Sequence, residues 1–242
     1  MTGRLALVTG ASRGIGAALA VRLAGPGPGG GHHVVLTART EAGLIETDDA
    51  IHAAGGTATI APLDLAKPED IDRLARAVGS RWQALDLLVL NAATLGTLSP
   101  LPHADPAEVE RVLALDLVAP FRLIRAFDPL LRRARGVVVA ITSSVAAGGR
   151  AYWGPYAAAK AGLEALVGSY ADEMQALGVR ALIVDPGATR TSMRARAYPG
   201  EDPAALKTPA TVAERIAGRL AEGVPAGATR LVLDRSGEVV PA

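Results

Sequence analysis

Alternation between two kinds of segment is the sequence feature that most constrains the fold. Short runs rich in leucine and β-branched residues alternate with longer segments rich in alanine, leucine and arginine, whose apolar residues follow a helical period. Parallel strands joined by crossover helices give this pattern. It predicts strands near Leu5–Val8, Val34–Ala38, Thr57–Ala61, Leu87–Leu90, Val137–Thr142, Ala181–Val184 and Arg230–Leu233. It predicts helices near Ile15–Leu23, Glu41–Ala53, Pro68–Ser80, Pro106–Leu117, Pro120–Arg133, Tyr156–Leu177 and Thr211–Glu222.

These elements leave no room for a second domain in residues 1–242. We therefore expect a single α/β domain in three layers, with a doubly wound, seven-stranded parallel sheet between two layers of helices. An apolar content of 50% is enough to fill a sizeable core. The stretch GPGPGGG at residues 25–31 reads as a flexible loop between the first helix and the second strand.

Composition removes several classes of function. The formal net charge is +1, and no dense basic run offers the footprint that a nucleic-acid backbone demands. There are no cysteines, so disulfides, thiolate nucleophiles and Cys-ligated zinc are excluded, and a cytoplasmic location is expected. The four histidines lack metal-binding spacing, so we expect no metal. No run approaches the roughly 20 apolar residues that span a bilayer, so no membrane partner is expected.

A glycine-rich turn follows the first predicted strand and opens the first predicted helix. The segment Thr9–Gly16 reads TGASRGIG. Its three glycines permit a tight turn, close approach of the backbone to a pyrophosphate, and close packing of helix on strand. The helix N terminus then presents free N–H groups to the phosphates. Three glycines alone also fit an ordinary loop, but the strand before them and the helix after them favour a dinucleotide site.

A tyrosine and a lysine, Tyr156 and Lys160, stand four residues apart in the sixth predicted helix. This spacing puts both on one face, about 5–6 Å apart at Cβ. A tyrosine with a pKa near 10 needs a nearby positive charge to exchange a proton with an alkoxide at neutral pH, and Lys160 or an oxidised nicotinamide can supply it. Upstream, Ser143 and Ser144 end a buried strand, where a hydroxyl can donate a hydrogen bond to a substrate oxygen.

Four motifs in this order resemble the short-chain dehydrogenase/reductase family. They are TGxxxGxG, Asn91-Ala92-Ala93 after the fourth strand, a serine before Tyr-x-x-x-Lys, and Pro186-Gly187 after the sixth strand. The resemblance covers essentially the whole chain. It implies a Rossmann fold and an oxidoreductase that moves a hydride between a nicotinamide and a carbonyl or alcohol carbon. It also implies a homodimer or homotetramer with Pro106–Arg133 and Tyr156–Leu177 at an interface.

The same resemblance implies roles for single residues. Tyr156 is the proton donor or acceptor, Lys160 lowers the pKa of Tyr156 and holds the ribose, and Ser144 orients the carbonyl. The implied cofactor-binding residues are Gly10, Ser12, Arg13, Gly14, Ile15, Gly16, Asp64, Leu65, Asn91, Ala92, Ala93, Tyr156, Lys160, Pro186, Gly187, Thr189 and Thr191. Asp64 also fits a turn before a helix, and Pro186-Gly187 an ordinary turn.

Two positions depart from the family pattern. The usual separation of serine and tyrosine is thirteen residues, as for Ser143, whereas Ser144 lies twelve before Tyr156. We prefer Ser144, because members with a Ser-Ser pair use the second serine and a one-residue deletion explains the count. Asp116 stands where the family has an asparagine that completes a proton relay. The backbone carbonyl that holds the relay water is kept, so activity should survive with an altered pH profile, although an aspartate before Pro120 also fits a helix break.

The end of the second strand indicates NADP(H). NAD enzymes of this architecture usually carry an acidic residue there for the ribose 2′-hydroxyl, whereas this chain has Thr37-Ala38-Arg39. Arg39 and Arg13 can clamp a 2′-phosphate with planar guanidinium groups. Both arginines also fit solvated surface positions, and NAD(H) is the less favoured cofactor.

The segment Ser192–Thr208 lacks a clear period and is predicted to be a mobile substrate lid within about residues 188–208. Apolar side chains predicted to line a substrate pocket are Leu95, Tyr152, Trp153, Met193 and Tyr198. Trp153 fits packing or an interface equally well. The expected substrate is a small, apolar ketone, aldehyde or secondary alcohol. The alternative, favoured only by Asp116, is a catalytically weak NADP(H)-binding regulator or scaffold.

Overall fold

The structure is a computed structural model that describes residues 3–241. The strands are β1 (Leu5–Thr9), β2 (His33–Ala38), β3 (Thr57–Pro62), β4 (Leu87–Leu90), β5 (Val137–Ile141), β6 (Arg180–Asp185), β7 (Gly227–Leu233) and β8 (Val239–Val240). The helices are α1 (Gly14–Ala24), α2 (Glu41–Ala53), α3 (Pro68–Gly79), α4 (Pro106–Leu113), α5 (Ala119–Ala134), α6 (Gly154–Glu173), α7 (Ser192–Ala197) and α8 (Pro209–Glu222). Short 3-10 turns lie at Leu101–His103, Ser144–Ala147, Gln175–Leu177 and Pro203–Ala205.

The strands form one sheet in the order β3-β2-β1-β4-β5-β6-β7-β8. The first seven are parallel, so the predicted doubly wound α/β fold is confirmed. An eighth strand, β8, pairs antiparallel with β7 and was not predicted, because two residues carry no detectable period. The strand order reverses between β1 and β4, and a crevice for ligands forms at the carboxyl ends of strands at such a point.

Each face of the sheet packs against its own helices. Leu7 of β1 belongs to a buried cluster that includes side chains of α3, α5 and α6, such as Ile71, Phe127 and Leu163. The next residue, Val8, belongs to a second cluster with side chains of α1, α2 and α8. Neighbouring side chains of a strand point to opposite faces, so a strand covered on both faces is apolar at every position. This is why β1 reads as an unbroken apolar run.

A π-helical turn at Ala114–Val118 joins α4 to α5, where the sequence predicted a break. Pro120 has no N–H to donate to the carbonyl of Asp116, and its ring crowds that carbonyl. Widening the helix by one residue at this point accommodates the proline and keeps the two helices continuous. Such single π turns often occur at functional sites.

The segment predicted as an irregular lid contains the short helix α7. Its N terminus is capped by Thr191, whose Oγ1 accepts a hydrogen bond from the N–H of Arg194 at 3.1 Å. Six residues are too few to show a helical period in the sequence. Among residues 3–241, no helix is long and apolar enough to cross a membrane, and no cluster of three or more acidic or histidine side chains is placed to hold a metal ion.

Candidate active site

A cavity of about 410 Å³ lies at the carboxyl ends of the strands. It brings together most of the residues predicted for catalysis and cofactor binding. Those that line it are Gly10, Ser12, Arg13, Gly14, Ile15, Arg39, Asp64, Leu65, Asn91, Ala92, Ala93, Ser144, Tyr156, Lys160, Pro186, Gly187, Thr189 and Thr191. Gly16 and Asp116 are not among the lining residues and lie in the structure that supports the wall.

The glycine-rich turn has the backbone that its sequence predicts. Gly10 and Gly14 have φ values of +66° and +59°, a region that favours glycine. A Cβ on Gly16 would lie 2.3 Å from the carbonyl oxygen of Gly10, so only glycine fits there. Arg13 is the N-cap of α1, and no described side chain caps the helix at this position. The first turn of α1 also contains no acidic residue, so its N–H groups and its positive dipole end face the cavity.

Asn91 and Thr9 hold this turn against the end of β4. The Nδ2 of Asn91 donates to the carbonyls of Thr9 at 2.9 Å and Gly10 at 3.2 Å. The buried Thr9 hydroxyl donates to the carbonyl of Val89 and accepts from the N–H groups of Asn91 and Ala92. The sequence interpretation missed this role of Thr9, although the threonine precedes the first glycine of the motif. Asn91 therefore shapes the cradle in addition to lining it.

The two arginines predicted to read a 2′-phosphate both line the cavity. Arg39 follows β2, and Arg13 lies in the turn between β1 and α1. Both side chains are exposed, and neither is in an ion pair with a carboxylate of residues 3–241. Their guanidinium groups are therefore available to an anionic ligand at this part of the cavity.

Tyr156 lies near the start of α6 and is only 6% exposed. A hydrogen-bonding interaction with Ser143 acts on the pKa of its hydroxyl. The chain turns into the 3-10 segment at Ser144, which leaves that side chain exposed at the cavity, while Ser143 is half-buried at the end of β5. We therefore favour Ser143, thirteen residues before the tyrosine, over the Ser144 that the sequence comparison with the family preferred.

Lys160 lies on the same face of α6 as Tyr156, as the four-residue spacing predicted, and its side chain is buried. Its Nζ donates to the carbonyl of Ile141 at 2.9 Å and lies 5.6 Å from the centroid of the Tyr156 ring. Burial lowers the pKa of Lys160, and the nearby carboxyl of Asp116 opposes that change. The ammonium is therefore fixed between the end of β5 and the phenol.

The pKa of Tyr156 is raised rather than lowered by the protein. Burial is the largest cause, followed by the charges of Asp116 and Asp185, while the hydrogen bond from Ser143 acts in the opposite direction. The sequence interpretation weighed the positive charge of Lys160 and not the cost of burying a phenolate. The phenol accordingly keeps its proton across neutral pH.

Asp116 is buried with no exposed surface, in the π turn between α4 and α5. Its Oδ1 accepts a hydrogen bond from the N–H of Thr94 at 2.8 Å. Its Oδ2 is buried without a hydrogen-bond partner among residues 3–241. Burial raises the pKa of Asp116 from 3.8 to about 6, despite the opposing charge of Lys160. An asparagine would carry no such charge.

Beyond the tyrosine, an apolar wall lines the other half of the cavity. Leu95, Trp153 and Met193 line it, as predicted, and pack with the buried ring of Tyr156. The predicted pocket residues Tyr152 and Tyr198 do not line it. Tyr152 is 58% exposed, and Tyr198 packs behind Trp153 with a ring-centroid distance of 5.9 Å.

Lys207 is a functional candidate that the sequence interpretation missed. Its Nζ donates to the carbonyls of Ala188 at 3.0 Å and Asp234 at 2.5 Å, and so ties the loop after β6 to the loop after β7. The loop after β6 packs closely against β7, because a Cβ on Gly187 would lie 2.3 Å from the carbonyl oxygen of Leu233. Lysine occurs only three times in the chain, and this rarity could have marked Lys207 as a candidate from the sequence.

The sequence of the chain is similar to those of known oxidoreductases. A sequence model of the family described as short chain dehydrogenase matches residues 4–202. The chain is 37% identical over 213 residues to the uncharacterized oxidoreductase YciK of Escherichia coli K12, covering 86% of this chain and 82% of that protein. It is 33% identical over 224 residues to the 3-oxoacyl-[acyl-carrier-protein] reductase FabG of Vibrio cholerae, covering 92% and 86%.

Solved structures share the fold over nearly the whole chain. A metagenomic short-chain oxidoreductase in complex with NADP is 33% identical, with a TM-score of 0.80 and coverage of 97% of this chain and 98% of that one. A short chain dehydrogenase from Escherichia coli CFT073 complexed with NADPH is 35% identical, with a TM-score of 0.83 and coverage of 94% and 95%.

Proposed function

Because the chain belongs to the short-chain dehydrogenase family, we propose that it reduces the carbonyl group of a small, largely apolar ketone or aldehyde and oxidises the corresponding alcohol in reverse. It is an oxidoreductase, and its cofactor is NADP(H). The observation that carries the proposal is the meeting of Tyr156, Lys160 and Ser143 in the cavity that begins at the glycine-rich turn. NADPH supplies the hydride when it is bound.

The chain's own residues fit the cofactor. The uncapped N terminus of α1 and the close approach of the backbone at Gly10 suit a pyrophosphate. Arg13 and Arg39 suit the 2′-phosphate. Lys160 and Asn91 line the same cavity as this turn and Tyr156. The loop after β6, which Lys207 holds at Ala188, also lines it.

Tyr156 is the residue we propose as proton donor to the oxygen of the reduced carbonyl. Its raised pKa keeps the proton on the phenol until the oxygen becomes an alkoxide, which is the stronger base. Ser143 has a single hydroxyl proton, which it turns from the phenol oxygen to the substrate oxygen as negative charge develops there. The ammonium of Lys160 then stabilises the phenolate that remains after transfer.

A catalytically weak NADP(H)-binding regulator or scaffold remains the second candidate, and only Asp116 favours it. The two candidates differ in turnover. We expect the purified protein to consume NADPH when it is mixed with members of a panel of ketones, aldehydes and diketones, as followed by the loss of nicotinamide absorbance. If NADPH binds but no member of the panel is reduced, the scaffold is the correct function.

We propose that Asp116 positions the backbone of Thr94 and makes the free energy of unfolding depend on pH. Its carboxyl faces Lys160 and Tyr156 of α6 and Arg111 of α4, and it also holds the N–H of Thr94. Asp185 of β6 acts on the same phenol. The folded-state pKa of about 6 exceeds the ordinary 3.8, so the group's contribution to stability is full below about pH 4 and is lost as the pH rises through 6.

Asp116→Asn is therefore expected to become more stable, relative to the unsubstituted protein, as the pH rises from about 4 to about 7. The pKa rise corresponds to about 3 kcal/mol of unfolding free energy, as an upper bound. Denaturant unfolding at the two pH values measures this difference. Asp72→Asn, an exposed position on α3, is the control. Unfolding curves for Asp116→Asn that keep a constant offset from the unsubstituted protein would contradict the assignment.

We also propose that the chain assembles as a homodimer or homotetramer through the α4–α5 region. Val118 and Phe121 are 40% and 47% exposed there, which is unusual for large apolar side chains so close together on one helical segment. Light scattering at micromolar concentration is expected to give a multiple of 24.7 kDa. A monomer mass under these conditions would rule out the assembly.

A further inference from the structure

The substrate half of the cavity is apolar next to the reacting group. Leu95 and Val145 are buried there with Tyr156, and Trp153, Met193 and Ala197 pack against them. This wall accepts the hydrocarbon part of a substrate whose carbonyl oxygen meets the phenol. No wall residue named here carries a charge, so any charged group on the substrate must lie farther out.

The exposed Arg196 of α7 lies on the solvent-facing side of this cavity. It lines the cavity, and its Nη2 lies 3.4 Å from the carbonyl oxygen of Gly96, on the segment after β4. This distance is long for an N–H···O hydrogen bond, and the contact uses one of the five N–H donors of a guanidinium. Within residues 3–241, Arg196 forms no ion pair. Its charge and most of its donors are left for a ligand.

Arg194, on the same helix, differs from Arg196 because its guanidinium is used in contacts within the protein. Arg194 forms a two-point ion pair with Glu201 at 2.6 and 2.8 Å, and its guanidinium lies 3.7 Å from the centroid of the Tyr198 ring. Arg235 also bonds Glu201, at 2.8 Å. These contacts hold the lid to itself and to the loop after β7. Arg196 takes no part in them.

The carboxylate of Glu108 lies near the segment that Arg196 contacts, but it is paired with a different arginine. Glu108 lies beside Gly96, but its Oε1 is bonded by Arg111 at 2.7 Å and contacted by the hydroxyl of Thr97. Arg150, another cation near the lid, lies 5.6 Å from the centroid of the Trp153 ring and forms no ion pair with the described residues. The mouth therefore carries surplus positive charge beyond an apolar wall.

We propose that the substrate is a carbonyl compound with an apolar body that ends in an oxoanion, a carboxylate or a phosphate, and that Arg196 binds this oxoanion. A planar guanidinium with free paired donors matches either group. The inference rests on the proposed reduction at Tyr156, but it concerns a different part of the cavity. Arg196 is a specificity-determining residue and takes no part in the proton transfer.

Binding measurements test the role of Arg196 independently of carbonyl reduction. An alkanoate, an alkyl phosphate and an alkanol of equal chain length are titrated into the NADPH complex by calorimetry. We expect one or both anions to bind more tightly than the alkanol, and Arg196→Gln to remove about 10–100-fold of that advantage. The alkanoate alone would assign a carboxylate, and the alkyl phosphate alone a phosphate. Equal binding of all three compounds would overturn the proposal, whether or not the protein reduces ketones.

Turnover gives the second arm. An aliphatic oxo acid is compared with its methyl ester, and we expect Arg196→Gln to lower kcat/KM for the acid about 10–100-fold more than for the ester, through KM. Arg76→Gln, an exposed arginine of α3 that does not line the cavity, is the matched control and should leave both substrates unchanged. Equal losses for acid and ester would show that Arg196 acts on the lid and not on a charge. Reduction of neither compound, with the binding preference intact, would reject the proposed function alone.

Discussion

Tyr156→Phe is expected to lose at least about 10²–10⁴-fold in kcat for ketone reduction while its affinity for NADPH stays close to that of the unsubstituted protein. The phenol supplies the proton, and the ring that remains keeps the packing against Trp153 and Lys160. Steady-state kinetics with the best ketone of the panel, and titration with NADPH, measure the two quantities separately.

Tyr170→Phe is the matched control. Tyr170 lies on the same helix, and its hydroxyl donates to Oδ1 of Asp128 at 2.9 Å, away from the cavity. The variant loses a hydrogen bond to a carboxylate, about 1.5–3 kcal/mol of stability, and should keep its turnover. If Tyr156→Phe also kept near-normal ketone reduction, the proton would have to come from another group, and the catalytic assignment would be abandoned.

Arg39→Asp is expected to weaken NADPH binding about 10–100-fold and to improve NADH binding. The substitution removes charge-assisted hydrogen bonds to the 2′-phosphate and adds a carboxylate that repels it and accepts a hydrogen bond from a 2′-hydroxyl. The ratio of the two dissociation constants, measured by titration at fixed ionic strength, reports the change. Raising the salt concentration should reduce the difference in NADPH affinity between Arg39→Asp and the unsubstituted protein, because Arg39 is exposed and its charge is screened.

Arg76→Asp makes the same change of charge on α3, outside the cavity, and should leave the ratio unaltered. Arg13→Ala tests the second guanidinium and should lower NADPH affinity without improving NADH. Equal affinities for NADPH and NADH in the unsubstituted protein would overturn the cofactor assignment, and with it the roles given to both arginines.

Local pattern in the sequence was sufficient for the fold and for part of the site. The period of a strand or helix is a property of consecutive residues, so the seven parallel strands could be predicted without knowledge of their partners. The same holds for the glycine-rich turn, whose backbone freedom belongs to Gly10 and Gly14 themselves. The placing of Tyr156 and Lys160 on one helix face also follows from spacing alone.

The tertiary structure decided what depends on burial and on distant segments. Ser143 is half-buried at the end of β5 and acts on the pKa of Tyr156, whereas Ser144 is exposed, and this difference depends on how α6 packs. Lys207 reaches Ala188 and Asp234 across gaps of 19 and 27 residues.

The charges in the site were decided in the same way, by what encloses them. The sequence indicated a positive charge beside a phenol, whereas burial in the fold raises the pKa of Tyr156 and of Asp116, whose Oδ2 has no partner among residues 3–241. Arg196 contacts Gly96 across 100 residues, which places a cation at the cavity mouth that no local motif announces. A sequence fixes spacing along the chain, but desolvation and contact across the chain arise only when the segments pack together.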